Sequence, residues 1–228
     1  MFVRVGLHEM KPQHRTRVKI CCVQSVEEAK LAIQHGASAI GLVSSMPSGP
    51  GPIPEELIVE IVPTVPSHVS TFLLTSKQSA EEVIAQQRRT NVSTLQLVDS
   101  FPIGQYKVFR RELPGIQIVQ VVHVRDEGSF DEAINVAEHV DALLLDSGNP
   151  SLAIKELGGT GRVHDWNISQ KIRESVKIPV YLAGGLRAEN VAQAISYVKP
   201  FAVDVCSGVR TKGELDEQKL ANFFAAIE

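Results

Sequence analysis

The sequence has little cysteine, few aromatic residues and no long apolar run. Its 228 residues include 3 cysteines, two of them adjacent, which is a poor disulfide framework and fits a reducing, cytoplasmic location. No apolar run approaches the roughly 18 residues that span a bilayer, so we expect no membrane partner. Aromatic residues make up 5% of the chain and hydrophobic residues 43%, which predicts a large aliphatic core.

The chain also lacks blocks of like charge and closely spaced metal ligands. Its formal net charge is -3, so the charge pattern does not favour nucleic acid as a partner. His123, His164 and Asp146 lack the close paired spacing of metal sites, and we predict no metal. The glycine-rich run 158–161 does not follow a strand and open a helix, as a dinucleotide fingerprint would, and we predict no cofactor. This run is instead a candidate lid or a source of N–H donors.

Residues 1–17 are basic and contain neither an apolar core nor a cleavage site, which argues against a signal peptide. We predict an N-terminal extension over 1–17, as an extra strand or a disordered arm. No linker rich in proline or glycine divides the remainder of the chain, so residues 18–228 are predicted to form one domain.

From residue 18 onward, strand-like apolar runs alternate with helical patterns. The strands are predicted at 18–22, 39–43, 68–74, 94–98, 118–124, 142–146, 180–183 and 202–206. The helices are predicted at 25–35, 54–61, 79–89, 104–113, 130–139, 165–175, 189–198 and 216–226. These eight units, spaced about 25 residues apart, predict a single-domain α/β fold of the (β/α)8 TIM barrel type. A doubly wound sheet is the alternative, although it would usually stop at about five or six strands.

Two ionisable residues lie where predicted buried strands end. Cys21 closes the run 18–21 and Asp146 closes the run 141–146. A side chain at the end of a parallel strand can be held rigidly and still meet a ligand. A thiolate and a carboxyl group in one pocket could take a proton from one atom and give one to another. Such a pair predicts isomerase chemistry without a metal or an organic cofactor.

Glycine-bearing segments follow the seventh and eighth predicted strands. Gly184 and Gly185 follow the seventh, and Ser207 and Gly208 follow the eighth. Glycine lets backbone N–H groups approach an anion, and these two loops form the recurrent phosphate site of eight-stranded barrels. Paired glycines could also merely form tight turns. Together, however, the two segments favour phosphate, so we predict a small phosphorylated substrate.

Five short motifs, in one order and spacing, carry a family resemblance from about residue 18 to the end of the chain. They are KIC at 19–21, LLDS at 144–147, GGTG at 158–161 ahead of DW at 165–166, LAGGL at 182–186 with ENV at 189–191, and DVCSGV at 204–209. The set resembles phosphoribosylanthranilate isomerase of tryptophan biosynthesis. The resemblance implies a TIM barrel and an Amadori rearrangement of an N-(5-phosphoribosyl) aminoaryl acid to the 1-deoxyribulose 5-phosphate.

The resemblance also implies roles for the two residues at strand ends. Cys21 matches the general base of the family, and Asp146 matches its general acid. Asp146 would protonate the furanose ring oxygen and open the ring to a Schiff base, and the Cys21 thiolate would then remove the C2′ proton. A thiol has a reference pKa of about 8.5, which must be lowered for the group to act near neutral pH.

The sequence departs from the family where the aryl acid would bind. The family carries an arginine after the second strand that binds the anthranilate carboxylate, but the loop 44–53 contains neither arginine nor lysine. Val98 replaces the histidine of the family's fourth-strand motif. Arg210, a candidate substrate contact, could replace the lost cation or strengthen phosphate binding. The alternatives are an isomerase of another phosphoribosyl-amine or sugar phosphate, and a non-catalytic barrel that binds a phosphoribosyl ligand.

Several further residues have open assignments. Gln96 could donate to the substrate or fill a barrel layer, and Asp204 could anchor a loop or orient substrate hydroxyls. His123 and Arg125 could contact the substrate or lie on a solvated rim. Cys22 is predicted to point outward against the helices, because neighbours on a strand alternate in direction. The oligomeric state is predicted to be a monomer or a homodimer.

Overall fold

The computed structural model describes residues 16–227, which form eight strand–helix units. The strands are parallel neighbours in sequence order, and β1 pairs with β8 to close a barrel. The strands are β1 Arg17–Ile20, β2 Ala39–Val43, β3 Ser70–Thr75, β4 Thr94–Leu97, β5 Gln117–His123, β6 Ala142–Asp146, β7 Val180–Leu182 and β8 Ala202–Val205. The helices are α1 Val26–Gln34, α2 Glu55–Ile61, α3 Ala80–Thr90, α4 Ile103–Glu112, α5 Gly128–Ala137, α6 Trp166–Ser175, α7 Val191–Val198 and α8 Glu217–Ala225. The predicted TIM barrel is confirmed.

Side chains alternate between the two faces of the barrel strands. Along β6, Leu143 and Leu145 belong to the core between the strands and the helices. Ala142 and Leu144 belong instead to the cluster that fills the inside of the barrel. Because the period along a strand is two residues, Asp146 also points inward, at the carboxyl end of β6.

Side-chain caps fix the starts of two helices. Ser25 accepts a hydrogen bond from the Glu28 backbone N–H at the start of α1, and Asp165 accepts one from the Asn167 backbone N–H at the start of α6. The Glu28 carboxylate in turn accepts from the backbone N–H of Gln24, which resembles a capping box. Most helix and strand boundaries lie within a residue or two of their predicted positions.

The structure differs from the predicted pattern near both ends of the barrel sequence. β1 ends at Ile20 rather than at Cys22. A short hairpin, formed by β9 Arg210–Thr211 and β10 Glu214–Leu215, lies between β8 and α8. The predicted extension 1–17 lies outside the described residues except for its last two, and Arg17 begins β1. None of the helices described within residues 16–227 has both the length and the apolar character needed to cross a membrane.

Candidate active site

The carboxyl ends of the barrel strands surround a cavity of about 730 Å³, including the part that opens to solvent. Its apolar lining includes Val43, Leu74, Val121 and Leu144 from β2, β3, β5 and β6, and Val98, which directly follows β4. Cys21 and Asp146 both line this cavity, and each is nearly buried, with 6% of its surface exposed. The structure therefore brings the two predicted proton-transfer residues into one pocket.

Cys21 lies next to a buried ammonium group. The Lys19 side chain is fully buried, and a Cβ atom placed on Gly41 would lie 2.9 Å from Cys21 Sγ and 3.0 Å from Lys19 Nζ. The two groups therefore approach the same point on β2. A hydrogen bond with Cys22 lowers the pKa of the Cys21 thiol, burial raises it and the Lys19 charge lowers it again, so that this pKa ends below its ordinary value.

Lys19 and Asp204 form a buried ion pair between β1 and β8. Lys19 Nζ lies 2.9 Å from Asp204 Oδ1, and the two residues are register partners in the sheet. Burial works to lower the pKa of Lys19, but the Asp204 carboxylate outweighs it and raises that pKa above its ordinary value. Asp204 also lines the cavity. It therefore anchors Lys19 while bordering the space that a ligand would occupy.

The prediction that Cys22 points outward against the helices is wrong. Because β1 ends at Ile20, strand alternation no longer applies, and Cys22 adopts a left-handed backbone conformation with φ 62°. This turn places Cys22 in the lining of the cavity. Its Sγ accepts a hydrogen bond from the Cys206 thiol, with 2.6 Å between the two sulfur atoms. All 3 cysteines of the chain thus border one cavity.

Asp146 ends β6, where its register partner on β5 is His123. Burial raises the pKa of Asp146 above its ordinary value, although the Ser147 backbone N–H and His123 act in the opposite direction. A carboxyl group with a raised pKa keeps its proton at higher pH and can donate it. The glycine-rich run 158–161 covers this group, since a Cβ on Gly158 would lie 3.0 Å from Asp146 Oδ2.

The four residues predicted to bind phosphate lie together at one end of the cavity. Gly184, Gly185 and Ser207 line the cavity itself. Gly208 lines an adjoining cleft, which also reaches Gly185 and Ser207. The two loops touch through their backbones, because a Cβ on Gly208 would lie 2.0 Å from the carbonyl oxygen of Leu186. Only glycine permits this close approach between the two loops.

Gln96, on β4, also lines the cavity and has 3% of its surface exposed. Its Oε1 is buried and has no hydrogen-bond partner among the described residues. A buried polar oxygen without a partner is unfavourable by about 1–3 kcal/mol. A ligand that donates a hydrogen bond to this oxygen would relieve that cost.

Arg210 does not line the cavity, so its predicted role as a substrate contact does not fit the structure. Its terminal nitrogens form a bidentate ion pair with Glu28, at 2.9 and 2.8 Å. They also donate to the carbonyl oxygens of Gly213 and Cys22. The Glu28 carboxylate accepts a further bond from the backbone N–H of Leu215. Arg210 therefore fastens the β9–β10 hairpin to the start of α1.

The histidines considered as metal ligands lie beside the cavity and do not line it. His123 donates from Nε2 to the carbonyl oxygen of Val98 at 2.9 Å. His164 bonds to the Ser169 hydroxyl, and burial lowers its pKa to about 4, so it is neutral at pH 7. Within residues 16–227, no three His, Cys, Asp or Glu side chains are arranged to hold a metal ion. Arg125 is exposed on the rim.

Sequence reasoning missed an ion pair on the loop that follows β6. The Lys155 ammonium group in this loop bonds to Asp99, which lies just beyond β4. The Lys155 carbonyl oxygen accepts from the Ser48 hydroxyl at 2.5 Å. Ser48, in the loop after β2, and Leu157, in the loop after β6, both line the cavity. The loop after β6 therefore crosses the mouth of the barrel and is bonded to residues on the opposite side of that mouth. No local pattern pairs Asp99 with a lysine 56 residues later in the chain.

Comparison with known proteins gives one consistent family along the chain. The family model described as N-(5′phosphoribosyl)anthranilate (PRA) isomerase matches residues 18–226. The curated N-(5′-phosphoribosyl)anthranilate isomerase 2 of Methanosarcina mazei is 38% identical over 209 residues, covering 91% of this chain and 92% of that protein.

Solved structures give the same picture. Phosphoribosyl anthranilate isomerase from Thermotoga maritima superposes with a TM-score of 0.79 at 30% identity, covering 93% of this chain and 98% of that chain. A phosphoribosyl anthranilate isomerase in complex with reduced 1-(o-carboxyphenylamino)-1-deoxyribulose 5-phosphate superposes with a TM-score of 0.78 at 27% identity, again covering 93% and 98% of the two chains.

Proposed function

We propose that this chain, which belongs to the N-(5′-phosphoribosyl)anthranilate isomerase family, rearranges N-(5-phosphoribosyl)anthranilate with Cys21 as general base and Asp146 as general acid. Family membership makes the chain an isomerase of the aldose–ketose type and places it in tryptophan biosynthesis. One observation carries the assignment of roles. Cys21 and Asp146 line a single cavity, and the glycine loops after β7 and β8 border its end.

The reaction begins with proton transfer to the ribose ring oxygen. Asp146 keeps a proton to higher pH because burial raises its pKa. It donates this proton to the ring oxygen as the bond from that oxygen to C1′ breaks. The lone pair of the substrate nitrogen forms the C1′=N bond of an iminium ion, and the ring opens.

The second proton transfer removes the hydrogen on C2′. The iminium ion withdraws electrons from C2′ and acidifies its proton, so a thiolate is a sufficient base. Cys21 accepts this proton as a thiolate. The hydrogen bond with the Cys22 side chain and the charge of Lys19 hold the pKa of the Cys21 thiol below its ordinary value. The electrons of the C2′–H bond form an enolamine, which tautomerises to the ketone.

The barrel geometry supports a position for the aryl group in this proposal. With the phosphate at the loops after β7 and β8, the rest of the substrate extends toward the opposite wall, and β4 lies opposite β8 in the closed barrel. At the end of β4, Lys155 is bonded to Asp99. The Lys155 side chain is 44% exposed and can turn its ammonium group toward a ligand. We assign Lys155 as the counter-charge for the aryl carboxylate that the loop 44–53 lacks.

Lys155→Met is expected to raise KM about tenfold and to leave kcat nearly unchanged. A charge-assisted hydrogen bond to the carboxylate stabilises the bound substrate and the transition state equally, so its loss weakens binding alone. Lys155→Arg should keep most of the affinity. Steady-state kinetics on the three proteins measure both constants.

Lys171→Met is the matched control, because the Lys171 side chain is exposed to a similar degree, 52% against 44% for Lys155, and forms an ion pair with Glu127 outside the barrel. The assay is then repeated with N-(5-phosphoribosyl)aniline, which lacks the carboxylate. With this substrate, the wild type and Lys155→Met should behave alike. An equal loss with both substrates would mean that Lys155 only fastens the loop after β6.

Turnover tests the proposed function directly. The purified chain should consume N-(5-phosphoribosyl)anthranilate, formed in place from anthranilate and phosphoribosyl pyrophosphate, much faster than buffer does. It should also restore growth to a tryptophan auxotroph that lacks this isomerase.

Two results would contradict the proposal in different ways. Saturable binding of the reduced product analogue without turnover would favour a non-catalytic barrel that binds phosphoribosyl ligands. Turnover of another phosphoribosyl-amine, with no growth of the auxotroph, would favour a different substrate. The oligomeric state, monomer or homodimer, and the cytoplasmic location stay predictions.

A further inference from the structure

The three cysteine side chains meet on one side of the cavity, and the proposed reaction uses only Cys21 as a base. Cys22 and Cys206 are free thiols whose sulfur atoms lie 2.6 Å apart. A disulfide bond is about 2.05 Å long, so these sulfurs need to approach by only about half an ångström to form one.

The backbone around these thiols is fixed by bonds between β1 and β8. Ile20 and Val205, which precede the cysteines, are register partners, and the Cys21 N–H donates to the Val205 carbonyl oxygen at 2.8 Å. Arg210 donates to the carbonyl oxygen of Cys22 and so holds the turn from the other side. Two reactive groups held together in this way have a high effective concentration toward each other.

We propose that Cys22 and Cys206 are a site of reversible oxidation, at which a peroxide converts the two thiols into a disulfide and thereby disables the base in the cavity. Cys206 is partly exposed, so its thiolate attacks a peroxide oxygen first. The O–O bond breaks, one hydroxide ion leaves, and Cys206 becomes a sulfenic acid. The Cys22 sulfur then attacks the Cys206 sulfur and releases hydroxide. The two thiol protons convert the released hydroxide ions to water, and two electrons pass from the thiols to the peroxide.

The disulfide acts on turnover through Cys21. In the reduced protein, the hydrogen bond with Cys22 is the largest influence that lowers the pKa of the Cys21 thiol. A disulfide sulfur has no proton to donate, so after oxidation the pKa of Cys21 rises and less thiolate is present at neutral pH. This effect rests on the proposed function, whereas formation of the bond does not.

The experiment treats the full, pre-reduced chain with hydrogen peroxide, then counts free thiols in denaturant and measures turnover at pH 7. Free thiols are expected to fall from 3 to one, and the mass to fall by two hydrogens. The value of kcat/KM is expected to fall at least about tenfold, because less of the base is ionised. Dithiothreitol should restore both the thiols and the turnover.

Serine variants assign the bond to its two residues. Cys21→Ser should still form it, whereas Cys22→Ser and Cys206→Ser should not, and Cys206→Ala provides a second variant at the same position. Each variant is compared with its own reduced form, so a change in basal turnover does not enter the comparison. Circular dichroism shows that each variant is folded.

Several outcomes would overturn the proposal. These are retention of all three thiols under peroxide that oxidises free dithiothreitol, thiol loss that persists in Cys206→Ser, and a bond that needs Cys21 to form. A disulfide that leaves turnover unchanged would overturn its effect on the base. A wild-type chain that forms the bond but has no turnover when reduced would reject the proposed function and leave the oxidation site standing.

Discussion

Cys21→Ser is expected to lower kcat by about 10²–10⁴-fold while the chain still binds the reduced product analogue. Serine is close to cysteine in size, but its hydroxyl is far less acidic, so no ionised group remains at this position to accept the C2′ proton. The value of kcat is measured at saturating substrate. Calorimetric titration with the product analogue separates a loss of chemistry from a loss of binding.

The pH dependence of the wild type gives an independent check on Cys21. The base works in its ionised form, so kcat/KM should rise as the pH rises through the pKa of Cys21. This limb should lie below the ordinary cysteine pKa, since Cys22 and Lys19 lower that of Cys21. Nearly full activity in Cys21→Ser would show that another group takes the proton, and the assignment of the base would fail.

Asp146→Asn is expected to lower kcat by a similar factor, about 10²–10⁴-fold. Asparagine keeps the shape of the side chain but has no acidic proton, so the ring oxygen must leave unprotonated and ring opening becomes slow. The acid works in its protonated form. In the wild type, kcat/KM should therefore fall as the pH rises through the pKa of Asp146, which burial holds above that of an ordinary aspartic acid. The residual activity of Asp146→Asn should lack this falling limb.

Asp165→Asn is the matched control for this prediction, because it makes the same chemical change in the same part of the chain. Asp165 is exposed and caps α6, and asparagine caps helices about as well as aspartate. Its kinetics should stay close to those of the wild type. A comparable loss in both variants would mean that Asp146→Asn disturbs the loop after β6 and not acid catalysis.

Much of the barrel could be predicted because its signals are local. The alternation of strand and helix patterns along the chain counts the eight units. The same local pattern places Cys21 and Asp146 near the ends of β1 and β6. A closed parallel barrel gathers all strand ends at one mouth, so these two residues face the same cavity.

The sequence gives the wrong position for Cys22, the wrong partner for Arg210 and no role for Lys155, because these depend on contacts formed only in the folded chain. Strand alternation predicts that Cys22 faces outward, but β1 ends at Ile20 and the chain then turns at Cys22. The position of Arg210 beside the glycine loops predicts a substrate contact, but Glu28, 182 residues earlier in the chain, forms an ion pair with it. Lys155 was overlooked, because its partner Asp99 lies on another strand end.

The sequence by itself determined the barrel, its family and the pair of residues that stand at two strand ends, because each follows from short-range periodicity or from motifs read along the chain. The tertiary structure alone decided which charges are free for a ligand and which are occupied. A charged or thiol side chain can be bound by any group that folding brings within about 3 Å, whatever the separation in sequence. Lys19 with Asp204, Arg210 with Glu28, and Cys22 with Cys206 are such pairs.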